Sequence, residues 1–389
     1  MKLKTIIFFG VILLLTACHN TIEKSNKRLS IDMTCIADYE LNDIGSNFKI
    51  RPLATIDSAL IGRIAKIIYY ENNLFIMDKK QKAIFIYNMD GEFIRKIRKV
   101  GRGPEEYLCI SDFTINQFNN HIEMTDGRSL RSYDFYGNFI GKENIQAETG
   151  KFVHCITVID SSTVAFLSFN EEAGASIYSR DKKKFVVSQS LVPAWNKRKI
   201  PFQTASPLYN NNNHNIYFEG FSNKIYQIDK NGFSLKYEWD FGDYNFNYDK
   251  PPLVNEFKKV SSSNEFIKNK NLYNKCLDKY IIPFQHHIEN EKLIVTCFLF
   301  KGKPATLVYN KLNNKYIIIK GDLSKLLMFS KIEITESNEI IAVADPVLIN
   351  KMPERWLVGS NKKIVSNIKI SDNPVIVSFK IKDELFQNK

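Results

Sequence analysis

Ile64-Ala65-Lys66-Ile67-Ile68-Tyr69-Tyr70, Leu74-Phe75-Ile76-Met77-Asp78, Ala83 to Tyr87 and Phe93 to Lys99 are the segments that decide the fold of this 389-residue chain. Each is short, rich in β-branched and aromatic side chains, and bounded by turn formers. Asn72-Asn73 follows the first, and Asp90-Gly91 precedes the last. Asp-Gly between two β runs is a strong hairpin signal, because both residues accept positive φ. The unit is strand, turn, strand, repeated to make four strands.

About 46 residues later the unit returns as Ile110 to Ile115, His121 to Asp126, Leu130 to Phe135, a Tyr136-Gly137 turn and Phe139 to Ile145. That period, with four strands per unit, is the pattern of propeller blades. Looser copies come after it. The third is Phe152 to Val158, Val164 to Phe169, Ser176 to Ser179 and Phe185 to Ser190. The fourth runs through Phe202 to Tyr209, Ile216 to Glu219, Ile225 to Asp229 and Leu235 to Phe241. Ile281 to Ile288, Leu293 to Phe300, Thr306 to Tyr309 and Tyr316 to Ile319 make the fifth. The last uses Leu327 to Ile334, Ile340 to Ala344 and Val375 to Ile381. That blade lacks an outer strand, which Phe48 to Ile56 is placed to supply, closing the ring and removing exposed sheet edges. The expectation is an all-β fold, a six-bladed β-propeller of four-stranded antiparallel blades over residues 48–389. Two stretches interrupt it. Pro251 to Lys279, with Leu253, Val254, Phe257 and Val260 at helical spacing, reads as a helical insertion. Pro346 to Asn373 reads as a long irregular segment inside the last blade, either a binding rim or plain cover for a channel mouth.

The first residues carry a different message. Lys2 and Lys4 precede an apolar core, Ile6 to Leu15, too short to cross a bilayer as a permanent helix. Leu15-Thr16-Ala17-Cys18 then matches a lipobox. Residues 1–17 are expected to be a signal peptide, Cys18 the lipidation site, and residues 18–47 a lipidated N-terminus and tether, polar from His19 to Ser30. Several acyl chains on one cysteine anchor stably, where one chain binds only marginally. The other reading is an ordinary secretory signal that happens to contain a cysteine.

Composition narrows the classes of partner. Apolar residues are 44% of the chain, ample for a core, and the formal net charge is +12. Removing Lys2 and Lys4 with the signal leaves +10. Export argues against nucleic acid as the partner and turns attention to acidic glycans, anionic headgroups or an acidic protein. The basic residues are scattered, as on a solvated surface. With Cys18 assigned to lipid, Cys35, Cys109, Cys155, Cys276 and Cys297 remain, an odd number without CxxC or zinc-ligand spacing. Buried free thiols fit them better than a disulfide framework.

Gly101-Arg102-Gly103-Pro104-Glu105-Glu106-Tyr107 resembles the GxGPGEY-type signature of exported six-bladed β-propeller lipoproteins abundant in anaerobic gut bacteria. Leu60 to Ile64, Ile84 to Tyr87 with Asp90-Gly91, and Asn373-Pro374-Val375 agree with it, and the likeness runs from about Phe48 to the C-terminus. Glu105 departs from the usual glycine. The family is broadly similar to NHL and TolB-type propellers. The resemblance implies a fold and a cell location, and no activity. Surface-exported lipoproteins of such bacteria commonly carry an acidic pair after the lipidated cysteine. His19 to Lys24 lacks one, which points to the periplasmic face of the outer membrane.

Arg102, Glu105, Glu106 and Tyr107 are the candidate ligand-binding residues, set against a plain blade-linking turn held by an Arg–Glu pair. Asp78 and Asp126 end the second strands of successive blades and read as turn caps. A calcium site built from such carboxylates is the sharper alternative. His286 and His287 are adjacent on a strand, so they point to opposite faces and cannot chelate one metal together. No HExxH, His-Cys cluster or GxSxG elbow occurs, and no catalytic residue, metal site or cofactor is assigned. Trp195, Trp239 and Trp356 suit packing as well as sugar stacking. The favoured expectation is a non-catalytic binding or accessory protein for a glycan, peptide, or envelope transporter or receptor. The alternative is a propeller glycan hydrolase or lyase, or a calcium-dependent lactonase-like hydrolase.

Overall fold

A strand sandwiched between two neighbouring sheets has no solvent face, so its sequence loses alternation and becomes a continuous apolar run. Leu74–Asp78 and Ala83–Tyr87 show this, buried at every position, while the outlying Lys184–Gln189 alternates exposed and half-buried side chains. The computed structural model describes residues 28–168, 174–190, 208–211, 214–218, 222–246, 256, 258 and 260–387. Signal residues 1–17, Cys18 and Trp195 lie outside them.

Among the described residues the strands form six sheets. The first contains Ile64–Tyr70, Asn73–Asp78, Ala83–Asn88 and Phe93–Ile97, antiparallel and in chain order. The second has Asp112–Asn116, His121–Thr125, Leu130–Asp134 and Phe139–Glu143. The third has Cys155–Asp160, Thr163–Ser168, Gly174–Ser179 and Lys184–Gln189. Leu208–Asn211, His214–Phe218, Lys224–Asp229 and Gly232–Asp240 make the fourth; Ile282–Glu289, Leu293–Phe300, Lys303–Asn310 and Lys315–Lys320 the fifth. The sixth takes Lys331–Ile334, Glu339–Ala344 and Val375–Ile381 from the end of the chain. Its fourth strand is Gly45–Pro52, with Ile50 opposite Val377. This is the outer strand expected of Phe48 to Ile56, placed a few residues earlier.

Each sheet packs on the next through an apolar layer. Phe75 and Ile86 of the first meet Phe113 and Ile122 of the second. Leu130, Ile156 and Phe166 join second to third, and Leu167, Ile177 and Tyr217 join third to fourth. One continuous cluster spans the fourth to sixth, and Ile76 and Phe85 meet Ile341 and Val343 to link the sixth back to the first. Each such side chain, removed from water, contributes about 1.5–3 kcal/mol. The first strands run in the same cycle. Ile64–Tyr70 lies against Asp112–Asn116, then come Cys155–Asp160, Leu208–Asn211, Ile282–Glu289 and Lys331–Ile334, which returns to Ile64–Tyr70. The Asp90-Gly91 turn strengthens the junction of sixth and first sheets. Gly91 has φ 87°, and a Cβ there would sit 2.3 Å from the Pro52 carbonyl oxygen.

Three expectations change. Part of the stretch read as tether is built into the fold. Arg28–Ser30 runs parallel to Gly232–Asp240 and Ile36–Asp38 parallel to Lys315–Lys320. These short segments cover edge strands whose N–H and C=O groups would otherwise lie unpaired, and Ile31 and Met33 are buried in the core beside them. Leu327 to Phe329, read as strand, ends the helix Asp322–Phe329, and the strand begins at Lys331. In the insertion, the helix is Ser263–Lys279. It starts where Ser262 accepts the Glu265 N–H at 3.3 Å and Glu265 accepts the Ser261 N–H at 2.8 Å, a reciprocal cap. Val260 precedes it, and Leu253, Val254 and Phe257 lie outside the described residues.

The segment from Pro346 to Asn373 is more ordered than its composition suggests, with helices Pro346–Ile349 and Ser360–Asn367. Buried Trp356 donates its indole N–H to Glu40 at 2.6 Å, and Arg355 grips the same carboxylate at 2.6 and 2.7 Å. The insertion thereby clamps the N-terminal segment.

Candidate functional site

The first strands of the sheets leave a channel along their common axis, and it is nearly filled. A cavity of about 70 Å³ is lined from the first, fourth, fifth and sixth sheets, including Lys66, Tyr209, His286, Lys331 and Glu333. A second, about 40 Å³, adds Thr114, Ile156, Thr157 and Asn210 from the second, third and fourth.

Charge inside the channel is organised by Lys66. Its ammonium donates to both Asp112 oxygens at 3.0 and 3.2 Å and to the Phe113 carbonyl at 2.8 Å. Asp112 also accepts the Ile156 N–H at 2.9 Å, so one carboxylate links the first strands of three consecutive sheets. Glu333, on the sixth sheet, is different. Burial pushes its carboxyl up to about 8, against the smaller opposing pull of the Tyr209 hydroxyl and of Lys66. It is a neutral acid at pH 7. His286, its Nε2 3.1 Å from the Met328 carbonyl, is pushed down to about 4 by burial and by Lys331. His287 points the other way, to the Tyr237 hydroxyl at 2.9 Å, and burial lowers it to about 4 as well.

At one end of the channel three cations stand close together. Arg63 and Lys79 flank the pair Ile64 and Asp78, and the Asp78 carboxylate accepts the Gly62 and Arg63 N–H groups at 2.7 and 3.1 Å. Lys331 opens the neighbouring first strand of the sixth sheet. Burial, with Arg63 and Lys79 beside it, holds the Lys331 ammonium below the usual lysine range. On the third sheet side, burial and Lys79 lower His154. An open groove of about 710 Å³ lies apart from these cavities, lined by turns of the fifth and sixth sheets and by C-terminal residues, Lys292, Asn338, Lys382 and Asp383 among them. Lys292 is paired there with Asp383 at 2.6 Å.

The Gly101–Tyr107 segment wedges between the first and second sheets. Tyr107 is buried; its hydroxyl donates to the Lys82 carbonyl at 3.0 Å and accepts the Lys99 N–H at 3.2 Å. Glu106 turns back to accept the Gly103 N–H at 2.7 Å, packed so tightly that a Cβ on Gly101 would lie 1.9 Å from its Oε2. Tyr133 donates to the Glu105 carbonyl at 2.6 Å. The expected Arg–Glu pair is replaced by this carboxylate-to-backbone bond, because glycine lets the backbone approach closely. Among the described residues Arg102 makes no ion pair. Arg102 and Glu105 are not buried, and none of the four lines the two axial cavities.

Asp78 and Asp126 cap their turns. Burial works to raise the Asp78 carboxyl, but the N–H groups of Gln81, Arg63 and Gly62 outweigh it and hold it low. Asp126 accepts from Arg128 and Ser129 N–H and from Arg131 at 2.6 Å. No group of three His, Cys, Asp or Glu is placed to hold a metal among the described residues. Among the described residues the five cysteines are free thiols, Cys155, Cys276 and Cys297 buried, Cys35 and Cys109 exposed. Trp239 and Trp356 are buried packing residues. The axial cluster of Lys66, Asp112 and Glu333 was missed by sequence reasoning. Its one signal was a charged residue opening or interrupting an apolar first strand.

Sequence comparison places the chain. The profile described as "Domain of unknown function (DUF4934)" matches residues 28–380. The chain belongs to this family. Membership rests on that match and not on the broader NHL or TolB likeness. No curated protein matches in sequence. Among solved structures, a "Putative exported protein" of Bacteroides fragilis aligns with TM-score 0.69 at 15% identity, over 92% of this chain and 100% of its own. A DUF4221 family member of Bacteroides vulgatus gives 0.55 at 10%, over 87% and 98%. The WD40 domain of Neurospora crassa Pan2 aligns at 0.38 and 10%, over 84% and 91%. The first two are likenesses of fold alone, to this all-β arrangement of four-stranded sheets. No helix among the described residues is long and apolar enough to cross a membrane.

Proposed function

We propose that the six sheets are the blades of one closed propeller, exported and held on the periplasmic face of the outer membrane by lipid on Cys18. In this reading it is a non-catalytic binding or accessory protein that meets a glycan, a peptide, or an envelope transporter or receptor at the channel mouth. The size of the axial cavities carries the reading. At about 70 and 40 Å³ they fall far below the ~300–1,000 Å³ of small-molecule sites. A substrate therefore has no room beside the channel carboxylates, and recognition falls to the mouth and rims. Arg102 and Glu105, exposed on the loop whose Tyr107 bonds the Lys82 carbonyl, are kept as rim contacts, with Glu106 and Tyr107 shaping their turn.

The enzyme alternative has one observation in its favour. Glu333 is a buried carboxyl held in its neutral form, with Lys66 beside it, as a general acid needs. One experiment separates the two. The lipidated protein and a Cys18→Ala form are used to capture partners from gently solubilised envelopes, and wild type and Glu333→Gln are assayed on the recovered glycan or peptide. Stoichiometric capture with no turnover supports the binding reading. Turnover that Glu333→Gln abolishes overturns it.

A further inference from the structure

The three cations at the channel mouth have no evident role in folding. Arg63 and Lys79 are exposed and lie opposite each other beside the paired residues Ile64 and Asp78, and Lys331, which lines the 70 Å³ cavity with His286, opens the first strand of the adjacent sixth sheet, packed on Ile64–Tyr70. Among the described residues none of their side chains forms an ion pair. Lys331 is half-buried, and His154 adds a fourth ionisable nitrogen within range of Lys79. The nearby carboxylates are already engaged. Asp112 is held by Lys66 and the Ile156 N–H, and Asp78 by the backbone N–H groups of Gly62, Arg63, Lys80 and Gln81. Like charges brought together in a partly dry site repel and are costly to desolvate. The buried or half-buried Lys236, Arg131 and Arg180 are paired, with Glu289, with Asp126, and with Glu123 and Glu143. An unpaired trio at the mouth of the axis is the pattern of a site that awaits a counter-charge.

We propose that this mouth binds one anionic group, a carboxylate or phosphate carried by the ligand, held by Arg63, Lys79 and Lys331. The inference rests on the channel mouth being the place of recognition, and it specifies the ligand's chemistry. Arg63 offers a planar fork for two parallel bonds to such a group, and the lysines act as point charges around it. The cavity beneath is large enough for the group itself or its water, and not for a whole sugar ring. The rest of the ligand then lies outward on the loop face. Lys66, deeper in the channel and bound to Asp112, keeps the site's floor from turning negative without competing for the anion.

The test is calorimetric titration of the soluble Cys18→Ala protein with glucuronate, inorganic phosphate and uncharged glucose. Wild type is compared with Lys331→Gln and Lys79→Gln. Binding of glucuronate or phosphate, but not glucose, is expected. Each substitution should weaken it by about tenfold or more, the value of a bond to a charged group. Affinity should also fall as salt rises from about 0.01 to 1 M, which shortens the Debye length from about 30 to 3 Å. Thermal midpoints of both variants should match or exceed that of wild type, since each removes repulsion. Tighter binding of glucuronate assigns the carboxylate source, and tighter binding of phosphate the other. Absence of anion binding overturns the inference. Anion binding unchanged in both variants also overturns it, because the anion then sits elsewhere. Binding of neutral glycans at the mouth, with anions ignored, leaves the binding reading standing and this one refuted.

Discussion

Replacing Glu333 by Gln tests the electrostatics of the channel most directly. Its carboxyl has an ordinary value of 4.5 and rises to about 8 in the fold. Between those values the folded chain holds a proton that the unfolded chain releases, so stability falls as pH climbs through the window. His286 and His287 act in the opposite sense, lowered from 6.5 to about 4. Below pH 6.5 the unfolded chain takes up protons that the buried imidazoles refuse, so stability falls as pH drops. The two trends cross, and wild type should be most stable near pH 6.5. At 1.36 kcal/mol per unit, Glu333 alone removes about 2 kcal/mol between pH 6.5 and 8. Gln keeps the shape and accepts from Tyr209 without a proton to lose. Urea unfolding of Cys18→Ala protein at pH 5.5, 6.5 and 8 should therefore show an alkaline decline in wild type. Glu333→Gln should be flat above pH 6.5, with the acid-side decline kept in both. An equal alkaline slope in the two proteins would refute the reasoning, because it would mean Glu333 is ionised, or hydrated, in the folded channel.

Three further expectations rest on the same contacts. Asp112→Asn leaves the Lys66 ammonium buried without its counter-ion and should cost about 3–5 kcal/mol in urea unfolding, much of it recovered by Lys66→Met with Asp112→Leu; a loss under about 1 kcal/mol would mean water already screens the pair. Gly101→Ala must displace the Glu106 carboxylate from the Gly103 N–H, at about 1.5–3 kcal/mol. That cost should vanish in a Glu106→Ala background, and a persisting cost would locate the strain in the backbone. Deleting residues 1–52 removes the outer strand of the sixth sheet and should abolish cooperative unfolding, whereas deleting 1–27 should leave the thermal midpoint unchanged; equal behaviour would show that Gly45–Pro52 is not the strand that completes the sixth sheet.

The repeat of short apolar runs was legible because a strand's burial is written in its own residues. Leu74–Asp78 and Val375–Ile381 have no solvent face, and their composition says so. Turn chemistry was equally local: Asp90-Gly91 carries its positive φ in its own glycine. The Gly101–Tyr107 motif was located correctly as a connection between units. The role of each side chain was not legible, since an Arg–Glu pair and a Glu106-to-backbone bond need the same residues and differ only in where glycine lets the chain fold back.

The axial site lay beyond local reading altogether. Lys66, Asp112, Glu333 and Lys331 are spread over three strands and most of the chain's length, and each alone looks like an ordinary charge on a strand. Only the return of the sixth sheet to the first brings Lys331 beside Arg63, and only the stacking of three first strands places Asp112 between Lys66 and Ile156. Periodicity and turn residues in the chain therefore specify strands and their grouping, through interactions a few residues long. Which charges meet, which are dried out and which lack a partner depend on distances and dielectric that exist only once the sheets have packed.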